Sequence, residues 1–195
     1  MGNIHSVTKA LENLGEEITL INKNEKSMDC KALILPGVGA FDPAMSNLNN
    51  SELIIDIRNW IKSGKSFLGI CLGLQLLFDS SEEGFLSGLG VIKGEIKKIP
   101  QISENRIPHI GWCPLIPTKK NKLIREEDLN FWVYFVHSYH AVPKDHNVIS
   151  AKVNYGSEKL TAIIEDDNLV ACQFHPEKSG KVGQIILERW IRSIA

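Results

Sequence analysis

The stretch Ser66 to Phe78, SFLGICLGLQLLF, joins a continuous apolar run to an apolar helical pattern, with one cysteine at the joint. The run 66–70 has the length and composition of a strand buried on both faces, and Leu72 opens the helix. Cys71 lies between Gly69 and Gly73. A side chain at the tip of a sharp strand-to-helix turn needs small neighbours, because backbone passes close on both sides. The same turn brings the sulfur to the free N–H groups of a first helical turn, which favour a thiolate and can stabilise an oxyanion. The carboxyl edge of such a sheet is where α/β folds bind ligands. Two readings stand at this point: a nucleophile, or a buried structural cysteine.

Outward from this joint, residues 1–80 alternate helix and strand. Ser6 is placed to cap a helix with Val7, Ala10, Leu11 and Leu14 on one face, stopped by Gly15. ITLIN (18–22) and KALILPG (31–37) read as short buried strands. Leu53, Ile54, Ile57, Trp60 and Ile61 form the inward stripe of a helix ending near Gly64. That alternation implies a parallel sheet covered on both faces. Beyond residue 90, GVIKGEIKKI, FWVYFVHSYHAV, VISAKVNYG, LTAIIEDD and NLVACQFHP are strand-like and separated by turn residues. Asp166-Asp167-Asn168 reads as a hairpin turn, and Val182, Ile185, Ile186, Trp190 and Ile194 mark a closing amphipathic helix. The fold class expected is α/β, a mostly parallel sheet flanked by helices with a β-rich second half, forming a single domain over residues 1–195.

Composition narrows the function classes. A chain of 195 residues supports one core of ordinary size. A net charge of −1, with acids and bases scattered, argues against nucleic-acid or membrane-surface binding. The short basic clusters Lys97-Lys98 and Lys119-Lys120 with Lys122 read as solvated loop faces. The four cysteines, Cys30, Cys71, Cys113 and Cys172, form no Cys-x-x-Cys pair. That spacing disfavours a zinc site or a disulfide scaffold and fits reduced thiols in the cytoplasm; Cys30 and Cys172 read as core thiols. His137 and His140, three apart in a strand-like stretch, face opposite ways and make a poor metal pair. No signal core or run of membrane-spanning length is present.

A base for Cys71 is found in ACQFHPEKS (171–179). Pro176 pushes His175 toward an extended conformation, in which residues two apart share a face, so Glu177 can orient the imidazole. The ring's other nitrogen can then address a thiol. A further segment, LILPGVGAF (33–41), ends a strand in Pro36-Gly37-Val38-Gly39. It reads either as a tight β-turn or as a loop offering backbone N–H groups to a developing negative charge.

Gly69-Ile70-Cys71-Leu72-Gly73 with Gln75, together with His175-Pro176-Glu177, resemble the signature of the class I (triad) glutamine amidotransferases. The stretches LPGVGAFDPAM, GICLGLQLLFDSSEEG, IPHIGWCPL, YFVHSYHA and QFHPEKSGKVG resemble one branch, the glutaminase subunits of imidazole glycerol phosphate synthases. The resemblance covers most of the chain. It implies Cys71 as nucleophile, His175 and Glu177 as its triad partners, and Val38, Gly39 and Leu72 as the oxyanion hole. It further implies Gln75, Ser138 and Tyr139 as glutamine-holding residues. Asn3, Trp112 and Lys178 match positions that face a (β/α)8-barrel cyclase subunit in a heterodimer. No cofactor and no metal is implied, and His109, although it matches a family position, is assigned no chemistry.

Two departures accompany the resemblance. The family begins with a short apolar strand and turn ahead of the position of Met1-Gly2-Asn3, so a late-assigned or truncated start and a less stable fold are expected. Cys113 stands where asparagine is common, with a local effect expected near the partner face. A triad glutaminase of another pathway and a non-catalytic partner subunit are the rival readings of the same motifs.

Overall fold

A computed structural model describes residues 4–22, 29–101, 106–125, 128 and 130–194. The elements in chain order are α1 (Ile4–Glu12), β1 (Ala32–Gly37), α2 (Phe41–Asn50), α3 (Leu53–Lys62), β2 (Ser66–Cys71) and the single turn α4 (Leu72–Gln75). There follow β3 (Ser80–Ser81), β4 (Gly94–Lys98), β5 (His109–Pro114), β6 (Ile116–Pro117), β7 (Trp132–His137) and β8 (Tyr139–Pro143). β9 (Ile149–Tyr155), β10 (Glu158–Asp166), β11 (Leu169–Cys172) and α5 (Gly180–Arg192) complete the chain.

The main sheet has six strands in the order β1-β2-β11-β10-β9-β6. β1, β2 and β11 run parallel, and the part beyond β11 is antiparallel. The expected parallel sheet therefore holds where Cys71 and His175 are delivered; part of the β-rich second half extends it, and the rest forms two smaller sheets, β3-β4-β8 and β5-β7. β2 and β11 show why their sequences are nearly all apolar. Leu68, Ile70, Val170 and Cys172 face one core, with α1 and α5; Phe67, Leu169 and Ala171 face the other, with α2 and α3. Both faces are dry, so no polar alternation survives. The helices follow the same logic: Val7 and Leu11 of α1, Ile57, Trp60 and Ile61 of α3, and Ile186, Leu187 and Trp190 of α5 are the buried stripes.

Several expectations change. The helix at the start is already formed at Ile4, so Ser6 lies inside it rather than at its cap. The stretch ITLIN carries no strand; apart from an isolated bridge at Asn22 it makes no ladder among the described residues, and Leu20 is exposed. Apolar composition there serves packing, since Ile18 lies against the core without strand pairing. Cys30 is exposed in the bend before β1 and is not a core thiol, because the chain enters the sheet only at Ala32. Lys97 and Lys98 belong to β4 rather than a loop. The Asp166–Asn168 hairpin forms as expected, with Asp167 at φ 49° and Asp166 opposite Leu169.

Candidate active site

The elbow at Cys71 is built by close backbone contacts. Cys71 ends β2 with φ 55° and ψ −108°, a conformation that L residues rarely hold, and then leads directly into α4. Gly73 must be glycine: a Cβ there would lie 1.8 Å from the Leu35 carbonyl oxygen of β1. Gly69 is similarly crowded, with a Cβ meeting the Gly73 oxygen and Leu74 nitrogen at 3.1 Å and the Ala171 Cβ at 3.2 Å. The two glycines flanking Cys71 thus let β1, β2 and β11 close on the turn. The helix after Cys71 is a single turn, shorter than its apolar pattern implies, and Leu74, Leu76, Leu77 and Phe78 in and after it are all buried.

His175 arrives from β11 in an extended conformation, φ −104° and ψ 95°. Pro176–Lys178 then form a 3₁₀ turn, so Glu177 meets His175 by folding back and not by sharing an extended face. Glu177 Oε1 lies 2.8 Å from His175 Nδ1, with both side chains fully buried. The turn is held by β7: the His175 N–H donates to the Tyr134 carbonyl at 3.0 Å, and the Tyr134 N–H donates to Ser179 Oγ at 3.0 Å. The Ser179 hydroxyl in turn donates to the His175 carbonyl at 2.6 Å. Burial works against charge on His175, but hydrogen bonds to Cys71 and Glu177, and the attraction of both, outweigh it and raise its pKa to about 9. A protonated His175 held by Glu177 is the form that this arrangement favours.

The loop Pro36–Gly39 starts at the end of β1, where Gly37 pairs in register with Cys71. Gly39 has φ 107°, a glycine conformation, while Val38 is half-exposed and Leu72 is buried. Gln75 is buried and its Nε2 donates to the Tyr139 carbonyl at 3.0 Å and to Gln173 Oε1 at 3.2 Å. Ser138 forms the bend between β7 and β8 and Tyr139 opens β8, beside that contact. Gln173 was not among the expected site residues, yet it is fully buried and its Nε2 is 3.8 Å from Cys71 Sγ. The signal was present: Gln173 is two residues before His175, the one polar side chain in the apolar run Leu169–Phe174.

Of the residues expected to face a partner, Trp112 is half-exposed on β5 beside exposed Ile110, near exposed Trp132 of β7. Lys178 is exposed at the triad turn, and Asn3 lies outside the described residues. His137 ends β7 and His140 lies in β8, so the two belong to different sheets. Cys172 is buried as expected, and Cys113 is half-buried against His109. Among the described residues, no helix is long and apolar enough to cross a membrane.

A family model, Glutamine amidotransferase class-I, matches residues 1–192. The imidazole glycerol phosphate synthase subunit HisH of Prochlorococcus marinus subsp. pastoris is 72% identical over 194 residues, covering 100% of this chain and 95% of that protein. The subunit HisH 2 of Parasynechococcus marenigrum is 48% identical over 191 residues, covering 98% and 90%. Among solved structures, PurLQS from Thermotoga maritima superposes with a TM-score of 0.77 at 19% identity, covering 100% of this chain and 94% of that one, a likeness of fold. The chain belongs to the class-I glutamine amidotransferase family, in the branch of the imidazole glycerol phosphate synthase HisH subunits.

Proposed function

We propose that Cys71, His175 and Glu177 are the triad with which this chain, as the glutaminase subunit of an imidazole glycerol phosphate synthase, hydrolyses glutamine in histidine biosynthesis. The observation that carries the reading is the fully buried His175–Glu177 contact at 2.8 Å, delivered from β11 beside the strand β2 that ends in Cys71. In the reaction, the Cys71 thiolate adds to the carboxamide carbon of glutamine. The oxyanion so formed is received by backbone N–H groups of the Val38–Gly39 loop and of Leu72. The His175 imidazolium gives its proton to the departing nitrogen, releasing ammonia and leaving an acyl thioester on Cys71. The neutral imidazole then takes a proton from water as it attacks the thioester, and glutamate leaves as the thiolate and imidazolium return. Gln75, Ser138 and Tyr139 hold the substrate, and no cofactor or metal enters any step.

Ammonia passes to a cyclase subunit, a (β/α)8 barrel in a heterodimer with this chain. That subunit forms imidazole glycerol phosphate and an aminoimidazole carboxamide ribotide. The exposed face with Trp112, together with Lys178 and Asn3, is the docking side of this reading. The chain acts as one glutamine amidotransferase type 1 domain in the cytoplasm. The test is ammonia production from glutamine, with and without the cyclase subunit, beside a Cys71→Ala variant. The parent is expected to be strongly more active in the complex; parity between parent and Cys71→Ala would sink the triad assignment.

A further inference from the structure

The β5–β7 sheet holds two buried histidines that the triad does not use. His109 and His137 are opposite each other in the register and only 1% and 6% exposed. Their rings meet, with His109 Nδ1 3.0 Å from His137 Nε2. The outer nitrogens also have partners: His137 Nδ1 is 2.8 Å from the Tyr139 carbonyl oxygen, and His109 Nε2 is 3.4 Å from Cys113 Sγ. His109 is further fixed by stacking on Phe135 at 4.9 Å and on Tyr155 at 4.0 Å between ring centres.

One atom sets the direction of the whole chain of contacts. A carbonyl oxygen only accepts, so the proton of His137 sits on Nδ1, and its Nε2 presents a lone pair. That lone pair accepts from His109 Nδ1–H, which leaves His109 Nε2 to accept from the Cys113 thiol. The scheme requires both rings to be neutral, and burial lowers His109 to a pKa of about 4. His137 is lowered to about 3, by burial first and then by repulsion from His109, His140 and His175.

The acceptor at the end is a shared one. The Tyr139 oxygen also receives Gln75 Nε2 at 3.0 Å, Gln75 is bonded to Gln173, and Gln173 reaches Cys71 Sγ. His137 and Gln75 thus hold one backbone oxygen from two sides, one from the β5–β7 sheet and one from the turn after the nucleophile.

The geometry points to the His109–His137 pair as a positioning device for the glutamine pocket: it clamps the Tyr139 carbonyl and, through it, sets Gln75 and the Ser138–Tyr139 segment for substrate. This rests on the glutaminase reading above. His137 and His109 are positioning residues, since neither touches the reacting atoms, and their effect is read in substrate affinity.

The test uses the chain in complex with its cyclase subunit and steady-state glutaminase kinetics for His137→Leu and His137→Asn. Asparagine can place an N–H where Nδ1–H stood; leucine cannot. His137→Leu is expected to raise KM for glutamine about tenfold while kcat changes by less than about threefold, as for loss of one buried hydrogen bond. His137→Asn is expected to bring KM back to within about threefold of the parent. A parental KM in His137→Leu overturns the proposal, as does an asparagine variant no better than leucine. Nitrogen-15 spectra of the parent at pH 6 give a readout independent of whether the variants fold. Two neutral rings protonated at Nδ1 are expected; an imidazolium or the other tautomer overturns the proposal. A parent that turns over no glutamine overturns the glutaminase reading and the pair with it, and shows itself because Cys71→Ala then changes nothing.

Discussion

Gly37 and Cys71 end two adjacent parallel strands in register, so the loop after one strand and the nucleophile after the other leave the sheet side by side. A Cβ on Gly37 would sit 2.9 Å from the Leu72 Cβ, which shows how closely the loop and the elbow are packed. The pairing links a Pro-Gly turn, ambiguous on its own, to the chemistry of a thiol 34 residues later in the chain.

Gly73→Ala tests that packing. The new methyl carbon would lie 1.8 Å from the Leu35 carbonyl oxygen, which is sheet backbone and cannot rotate away. The expected cost is about 3 kcal/mol, a melting temperature lower by roughly 6–12 °C for a chain of this size, with glutaminase activity falling alongside. Thermal melts and glutamine turnover measured on the same preparation check it; a parental melt would mean that β1 and the elbow are not in contact.

The pH dependence follows from His175. Its folded pKa of about 9 stands above the ordinary 6.5, so the charged triad contributes stability fully below pH 6.5 and loses it as pH rises through 9. Activity requires the same proton for the leaving ammonia, so kcat/KM is expected to fall above about pH 9. Glu177→Gln keeps the shape and removes the attraction, and should move the alkaline limb to lower pH as well as reduce the rate. An alkaline limb that stays in place in Glu177→Gln would falsify the assignment of Glu177 as the group that supports the imidazolium.

How much of this was legible in the sequence depends on distance along the chain. The elbow was readable because Gly69, Cys71 and Gly73 act within five residues, and the buried strands because both their faces are apolar. Glu177 was found for a partly wrong reason: the spacing is right, but a 3₁₀ turn and not an extended strand brings it to His175. Cys30 and the stretch 18–22 depart from their expected places because apolar or thiol character does not say whether a neighbouring strand is there to pair with. In the sequence His109 carries no assigned chemistry, and His137 stands only as half of a poor metal pair with His140. Their contact depends on the β5–β7 register across 28 residues, which no local pattern encodes.

Gln173 provides a sharper test of the site than the triad itself. Gln173→Leu leaves Gln75 with the Tyr139 carbonyl as its remaining hydrogen-bond acceptor and removes the amide beside Cys71 Sγ. Losing about two hydrogen bonds predicts a fall in kcat/KM of roughly ten- to hundredfold. Gln173→Glu keeps the acceptor for Gln75 but sets a carboxylate beside the sulfur, which disfavours the thiolate. It is therefore expected to be the worse variant at neutral pH, and the order of the two is read directly from progress curves. The reverse order would show that Gln173 acts on Gln75 alone.

Gly183→Ala sets two effects of opposite sign against each other. Gly183 lies in the first turn of α5, where replacing glycine by alanine ordinarily stabilises a helix by about 1 kcal/mol. Here the methyl group would lie 1.8 Å from the Pro176 carbonyl oxygen and 2.9 Å from the Ser179 Cβ, inside the turn that carries Glu177. Backbone oxygen cannot yield without shifting that turn, so crowding, at about 3 kcal/mol, is expected to exceed propensity. The His175–Glu177 contact moves with it, and glutaminase turnover should drop at least about tenfold, since each 1.4 kcal/mol lost from the transition state is a factor of ten. A melt and a turnover assay on the complex decide the sign. A variant that is both more stable and fully active would mean that α5 stands off from the triad turn, and the close packing that holds Glu177 in place would have to be abandoned.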